Sequence, residues 1–217
     1  MLSHIRPHQL FTRVRTPGYG DRLVSVVLPH DSTPKLLETA VLLALIRVVR
    51  PRAVFEFGTY LGIQTLNMAA NVDPGARVYT LDLDHEAFRQ ANQLPADRDI
   101  SRRHLEHHDR LAFQGTQFED RVEILLGDST TFDFSPYAGT MDLIYIDGGH
   151  DARTVRSDTE QAFLMLSDDR DAVICWHDYG NPTYPAVTAE IERVAGSRDM
   201  FHIEETMMCF HLREPAT

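Results

Sequence analysis

Four ionisable side chains follow two predicted strands of this sequence, at the point where each strand ends. Asp147 and His150 come after one apolar run, and His177 and Asp178 come after the next. Because the carboxyl ends of parallel strands meet at one edge of a sheet, where ligands bind, we expect the four side chains to lie together. Asp147, His177 and Asp178 could bind a divalent cation. Their oxygens suit Mg²⁺ or Mn²⁺, and an imidazole favours Mn²⁺, Fe²⁺, Co²⁺ or Zn²⁺.

The second chemistry of this group is proton transfer. His150 lies three residues beyond Asp147, and an imidazole near neutral pH can accept a proton from a substrate hydroxyl as a general base. In the alternative interpretation, Asp147 and Asp178 cap helices or turns and both histidines make packing hydrogen bonds. Four such groups at two neighbouring strand ends favour a functional site.

A glycine-bracketed turn precedes this group in the chain. The run 53–57 predicts a buried strand, Gly58 and Gly62 bracket a tight turn, and a helix follows, so that helix N–H groups face a ligand crevice. Asp82 ends the next predicted strand, 20 residues after Gly62. A carboxylate there accepts hydrogen bonds from both hydroxyls of a ribose. The alternative role of Asp82 is to cap the helix that begins near His85.

The third predicted strand, 122–126, is followed by Gly127, Asp128 and Ser129. An acidic residue just past this strand can accept a hydrogen bond from an adenine amino group. A simple turn explains the same residues equally well.

A histidine-rich segment lies between the second and third of these strands. It contains His104, His107, His108 and Asp109, which resemble a metal cluster at first sight. The surrounding residues are polar, so we interpret the segment as a solvated surface helix. The whole stretch 95–120 is longer than a plain connection and predicts a lid insertion beside the substrate.

The order of elements predicts the fold. Helices alternate with the first five predicted strands, and two closing strands near 201–203 and 207–212 are joined by a short turn that permits antiparallel pairing. We therefore predict an α/β, doubly wound, Rossmann-like seven-stranded sheet, mostly parallel with an antiparallel C-terminal strand. Residues 33–217 form one domain, and residues 1–32 form an arm in which 23–28 could be a short strand or an extended segment.

Composition narrows the classes of function. The chain has 217 residues and a formal net charge of −11, which argues against a nucleic-acid or anionic-membrane binder because phosphate contacts need a basic face. It contains no run of 18 apolar residues and no signal-peptide pattern. Cys175 and Cys209 lie in apolar runs, as buried thiols of a reducing cytoplasm would. We expect a cytoplasmic protein with a small-molecule substrate.

The motifs, taken in order, resemble those of class I S-adenosylmethionine-dependent methyltransferases. Residues 56–62 read Glu-Phe-Gly-Thr-Tyr-Leu-Gly, the first motif as the catechol O-methyltransferase-like branch writes it. Asp82, residues 127–129 and residues 142–150 are similar to the later motifs, at suitable spacing. The Asp-Gly-x-His and Trp-His-Asp-Tyr pieces are most similar to the group that includes bacterial macrolide-sugar O-methyltransferases.

The resemblance implies a role for each matched residue. Glu56, Gly58 and Tyr60 would line the methionine part of S-adenosylmethionine. Asp82 would bind its ribose, and Asp128 and Ser129 would face its adenine. Gly62 and Asp147 are the other two residues implied to bind the cofactor. Asp147 and Asp178 match metal-ligand positions, whereas His177 stands where such enzymes usually carry a carboxylate. His150 matches the catalytic base. The implied reaction is O-methylation of a small-molecule hydroxyl, assisted by a divalent metal.

Three other functions stay open at this point. A metal-independent methyltransferase could use His150 alone and act on nitrogen. A nicotinamide-dependent oxidoreductase also needs a glycine turn and a ribose carboxylate, although the Gly-x-x-x-Gly spacing lacks the middle glycine that admits a pyrophosphate. A non-catalytic binding protein could keep the fold. The N-terminal arm makes a homodimer plausible.

Overall fold

The computed structural model describes residues 1–10, 24–27, 36–91, 93–107 and 109–215. These residues form eight strands and six α-helices. The strands are β1 (Leu2–Ile5), β2 (Ala53–Phe57), β3 (Arg77–Asp82), β4 (Val122–Leu126), β5 (Leu143–Ile146), β6 (Ala172–Trp176), β7 (Met200–Ile203) and β8 (Cys209–Arg213). The helices are α1 (Leu36–Val49), α2 (Ile63–Asn71), α3 (His85–Gln90), α4 (Pro95–His107), α5 (Ala152–Met165) and α6 (Pro185–Ala195).

All eight strands belong to one sheet, in the order β1-β7-β8-β6-β5-β2-β3-β4. Only β8 runs antiparallel to its neighbours among the described strands. The predicted fold class is therefore confirmed, with one strand more than the predicted seven. The additional strand is β1, which lies within the predicted N-terminal arm and pairs in parallel with β7.

The core has two layers because the strands alternate their side chains between the faces of the sheet. On one face, residues such as Val54 and Val173 pack with α1 and α2. On the other face, their chain neighbours Phe55 and Ile174 pack with α5 and α6. Apolar residues on both faces are typical of central parallel strands covered by helices.

Residues 24–27 lie along α2 as an extended segment, the second of the two alternatives predicted for this part of the arm. Two amide side chains, one turn apart on α2, contact its backbone. Asn71 accepts from the Ser25 N–H and donates to the Ser25 carbonyl, and Asn67 does the same with Val27. The sequence also predicts a turn at 16–21 and a helix start at 32–34, and both lie outside the described residues.

Two smaller findings concern the environment of the chain. In the described ranges, no helix combines the length and the apolar composition that a bilayer crossing requires. Cys175 and Cys209 are free thiols with 0% exposure, as predicted.

Candidate active site

The turns after β2 and β5 meet at the carboxyl edge of the sheet. β2 pairs with β3 on one side and with β5 on the other. The chain adds strands on one side of β2 as far as β4 and then crosses to the other side of β2 to form β5. Such a switch point opens a crevice for ligands. The two turns touch there: a Cβ on Gly58 would lie 2.3 Å from the carbonyl oxygen of Asp147. Gly58, at φ 93°, thus allows a contact that no side chain would permit.

The crevice is a cavity of about 370 Å³, within the range of small-molecule sites. Its lining includes nearly all of the site residues predicted from the sequence: Gly58, Tyr60, Asp82, Asp128, Ser129, Asp147, His150, His177 and Asp178. Glu56 and Gly62 lie outside this lining.

Asp82 holds the glycine turn in place. Its Oδ2 accepts hydrogen bonds from the backbone N–H groups of Thr59, at 3.0 Å, and Tyr60, at 2.8 Å. Its Oδ1 accepts from the Leu83 N–H at 2.7 Å. The helix-cap alternative for Asp82 is wrong, because Asp84 caps α3 by accepting from the Ala87 N–H. Asp82 therefore faces the cavity and organises the backbone around it.

Asp128 lies at the same end of the cavity. Its Oδ1 accepts from the backbone N–H and the hydroxyl of Thr130, each at 2.8 Å. This local turn directs the segment 127–130 along the cavity wall.

Glu56 is buried beneath the glycine turn. Its Oε2 accepts from the hydroxyls of Thr65 and Thr80, at 2.5 and 2.7 Å, and its Oε1 has no hydrogen-bond partner among the described residues. Burial raises the pKa of Glu56 to about 8, despite the two hydroxyls. Glu56 is therefore mostly neutral at pH 7, and it braces β2 against α2 and β3.

Gly62 serves packing. It has a left-handed φ of 74° at the start of α2, and a Cβ there would lie 2.9 Å from the Phe113 ring.

His150 is held between two carboxylates at the other end of the cavity. Its Nδ1 lies 2.7 Å from Asp97 Oδ1, and its Nε2 lies 2.9 Å from Asp178 Oδ2. The Tyr184 ring stacks on the imidazole with centroids 3.7 Å apart. Burial opposes the charged imidazolium, but the hydrogen bonds to Asp178 and Asp97 outweigh it and raise the pKa of His150 to about 9.

His177 lies among three carboxylates, those of Glu38, Asp147 and Asp178. Its Nδ1 lies 3.2 Å from Asp147 Oδ1 and 3.3 Å from Asp178 Oδ2, and its Nε2 lies 3.2 Å from Glu38 Oε2. Burial opposes protonation, but the charge of Asp147 and the surrounding carboxylates raise the pKa of His177 well above its usual range. Asp178 joins the two histidines and has a left-handed φ of 64°, a strained conformation for a residue with a side chain.

Anionic and imidazole groups thus alternate across the end of the sheet. The order of contacts is Glu38, His177, Asp178, His150 and Asp97. The five residues come from α1, from the ends of β6 and β5, and from α4. This arrangement brings together the predicted catalytic and metal-binding residues and adds two carboxylates from helices.

The sequence comparison identifies the family. A family model described as a methyltransferase domain matches residues 55–179, which is more than half of the chain. The chain belongs to the methyltransferase-domain family. This match confirms the resemblance recognised in the motifs. It spans the glycine turn, Asp82, Asp128 and the residues at the ends of β5 and β6, but not Glu38.

Relatives of this methyltransferase-domain protein agree with the assignment. Over 110 residues it is 30% identical to mouse catechol O-methyltransferase, covering 48% of this chain and 34% of that enzyme. The matched segment thus spans about a third of the mouse enzyme. The cofactor-bound crystal structure of Rv0187 from MTB has a TM-score of 0.57 at 20% identity, with 87% and 84% of the two chains covered. The Bacillus cereus O-methyltransferase in complex with SAH has 0.53 at 20% identity, with 85% and 83% covered. These two likenesses show the shared fold.

Helix α4 of the methyltransferase domain differs from its predicted character. Asp97, Ser101 and His104 lie on one helical face and are all buried, so the interpretation of a wholly solvated surface helix is wrong for this face. Asp97 contacts His150, and His104 Nδ1 lies 2.7 Å from the Tyr60 carbonyl. Helix α4 therefore covers both ends of the cavity.

The remaining members of the histidine-rich segment are placed apart from His104. His107 is exposed and contacts the Arg103 carbonyl through Nδ1. Asp109 is exposed, and His108 lies outside the described residues.

A divalent cation fits the donor set that this domain presents. Nδ1 of His177 is buried without a hydrogen bond of normal geometry among the described residues, although two carboxylate oxygens lie near it. Its Nε2 faces Glu38, and a metal-binding histidine commonly has its other nitrogen next to a carboxylate. Donor atoms of Asp147, His150 and Asp178 also lie within 4.8 Å of one another.

Sequence reasoning missed four residues of the site: Glu38, Asp97, Asp158 and Tyr184. Glu38 and Asp158 carried a usable signal, because each is a charged residue amid the helical repeat of its helix, where apolar residues would pack. Asp97 and Tyr184 carried none, since they lie in polar stretches without periodicity.

Proposed function

We propose that this protein is an S-adenosylmethionine-dependent methyltransferase that methylates a hydroxyl group of a small molecule. The observation that carries the proposal is the continuity of one cavity. It joins Asp82 and Asp128, the carboxylates that we propose bind the nucleoside, to Asp147, His150 and Asp178, the residues that we propose act on the acceptor. A methyl donor bound at the first end would place its reactive group at the second.

The cofactor would be held by residues from three turns. Asp82 would accept hydrogen bonds from the ribose, Asp128 and Ser129 would face the adenine, and Gly58 and Tyr60 would border the methionine part. When bound, S-adenosylmethionine supplies an electrophilic methyl group on a sulfonium. The contribution of these residues is to orient it toward the acceptor, and positioning of this kind can account for most of the rate enhancement.

His150 is the proposed base. Asp97 accepts a hydrogen bond from Nδ1. Nε2, which contacts Asp178 Oδ2 at 2.9 Å, would receive the proton of the acceptor hydroxyl after it has lost its own proton and the hydroxyl has replaced this contact. Tyr184 keeps the ring plane fixed by stacking. Since the pKa of His150 is about 9, the base form increases as the pH rises toward that value.

Asp147, His177 and Asp178 would hold a divalent cation beside His150. Such a cation lowers the pKa of a bound hydroxyl and orients it. A protonated His177 imidazole would also offset part of the negative charge of the three carboxylates around it, and this observation favours a metal-independent methyltransferase as the second candidate. Loss of turnover on chelation, restored by Mn²⁺ or Mg²⁺, would support the metal; turnover unaffected by chelation would support the second candidate.

Calorimetry with S-adenosylmethionine, S-adenosylhomocysteine and NAD is the first test. We expect micromolar binding of the two sulfur compounds and no binding of NAD. Turnover over a panel of small hydroxyl compounds should then fall at least 100-fold in His150→Asn, with S-adenosylhomocysteine binding retained. The matched control is His107→Asn, an exposed histidine on α4. Binding of NAD alone would point to an oxidoreductase, and unchanged turnover in His150→Asn would remove the proposed base.

A homodimer, a cytoplasmic location and the division into an arm (1–32) and one domain (33–217) remain predictions from the sequence.

A further inference from the structure

Asp158 is a buried carboxyl group on the wall of the cavity. It lies in the interior of α5, is 1% exposed, and contributes to the cavity lining. Neither of its oxygens has a hydrogen bond of normal geometry with the described residues, although the Ser129 hydroxyl lies near enough to lower its pKa. It does not cap its helix, because Asp151 does so by accepting from two backbone N–H groups of the first turn.

Such a group is costly to the folded protein. A buried polar group without a partner destabilises a protein by roughly 1–3 kcal/mol, and an ionised carboxylate costs more. A helix that packs on the sheet would be more stable with an apolar residue at this position. The retained carboxyl therefore indicates a ligand that completes its hydrogen bonds.

Asp158 holds a proton near neutral pH. Burial raises its pKa to about 8, the Ser129 hydroxyl offsets part of this effect, and the charges of Asp128 and Asp151 add to it. A protonated carboxyl is both a donor and an acceptor of hydrogen bonds. It can therefore bind a ligand edge that presents one acceptor next to one donor.

The immediate surroundings of Asp158 indicate which ligand part it meets. Ser129 and Asp128 belong to the loop after β4, the end of the cavity proposed for the adenine. On the other side lies Gly148, where a Cβ would approach Asp158 Oδ2 to 3.3 Å, so a larger residue would crowd the carboxyl.

We propose that Asp158, as a protonated carboxyl, recognises the adenine ring of the methyl donor by donating a hydrogen bond to N1 and accepting one from the 6-amino group. This assignment rests on the proposed function, and it extends it by naming a base-recognition residue. The amino group has two hydrogens, so Asp128 and Asp158 can accept one each.

The test is calorimetry with S-adenosylhomocysteine and its 1-deaza analogue, which lacks the N1 acceptor. The variants are Asp158→Asn, whose amide keeps a donor and an acceptor, and Asp158→Leu, which has neither. We expect the wild-type protein to bind S-adenosylhomocysteine about tenfold or more tightly than the analogue. Asp158→Asn should keep most of this preference, and Asp158→Leu should lose it.

Each outcome has a distinct meaning. A wild-type protein that binds both compounds equally, or an Asp158→Leu variant that keeps the wild-type preference, would overturn the role of Asp158 while leaving the methyltransferase proposal intact. The wild-type comparison is decisive even if Asp158→Leu fails to fold. A wild-type protein that binds neither compound would overturn the proposed function itself.

Discussion

The carboxylate of Asp97 contacts His150 at two points. Its Oδ2 accepts the backbone N–H of His150 at 2.9 Å, and its Oδ1 lies 2.7 Å from the ring Nδ1. Both residues are buried. One carboxylate thus fixes the main chain and the ring of His150 together, and it comes from helix α4. The position of this helix over the cavity and the orientation of the His150 ring are therefore coupled through one side chain.

Replacement of Asp97 by asparagine should disable the base without unfolding the protein. An amide can donate to Nδ1, which favours the wrong tautomer, and we expect turnover to fall about 100-fold or more. The pKa of His150 should also fall, since one of the two carboxylates that raise it is lost. Turnover assays and an NMR titration of His150 would measure both effects. Asp99→Asn, an exposed position two residues along the same helix, is the control and should change neither. Wild-type turnover in Asp97→Asn would contradict the orienting role.

The sequence predicted the strand ends well and the partners of their side chains poorly. The strand 53–57 and the helix that follows were read from local apolar runs and glycine turns, which act over a few residues. Asp97 and His150, in contrast, are 53 residues apart, and Glu38 and His177 are 139 apart. Nothing local distinguishes such carboxylates from solvated ones. The strand β1 was missed for the same reason, since it forms only by pairing with β7 near the other end of the chain.

The identity of His177 should set the preference for metals. An imidazole beside two carboxylates favours Mn²⁺, Co²⁺ or Zn²⁺ over Mg²⁺, which prefers oxygen ligands. We expect calorimetry to show at least tenfold tighter binding of Mn²⁺ than of Mg²⁺. The ratio of the two affinities should be smaller in His177→Asp. His107→Asp adds the same charge on the exposed side of α4 and should leave the ratio unchanged. No binding of either cation to the wild-type protein would refute the metal site.

Glu56 should make stability depend on pH. The pKa of Glu56 is about 8 in the folded protein against an ordinary value of 4.5, so between these pH values the unfolded chain loses a proton that the native state keeps. The contribution of Glu56 to the free energy of unfolding should therefore be greatest below pH 4.5. It should fall by up to about 1.4 kcal/mol per pH unit as the pH rises, and it should level off above pH 8.

Glu56→Gln removes this titration. The free energy of unfolding of the variant, relative to that of the wild-type protein, should rise by up to about 4 kcal/mol between pH 5 and pH 8. Urea unfolding at both pH values would measure this change. Glu160→Gln, an exposed position on α5, should show no such gain. Parallel pH profiles for Glu56→Gln and the wild-type protein would mean that Glu56 is ionised in the native state.

Gly58 and Gly75 form a matched pair that isolates the contact between the two turns of the site. Their φ angles are 93° and 90°, yet a Cβ on Gly75 would meet nothing within 4 Å, whereas one on Gly58 would lie 2.3 Å from the Asp147 carbonyl oxygen. Gly75→Ala should cost only the backbone strain, about 1–2 kcal/mol. Gly58→Ala should cost at least about 2 kcal/mol more, because β2 and β5 must separate at their ends.

The same separation would displace Asp147, so Gly58→Ala should also weaken Mn²⁺ binding at temperatures where the variant remains folded. Urea unfolding and calorimetry on the two alanine variants would measure these effects. Equal destabilisation by the two substitutions would show that the turns can part without cost, and that Gly58 is needed for its backbone angle alone.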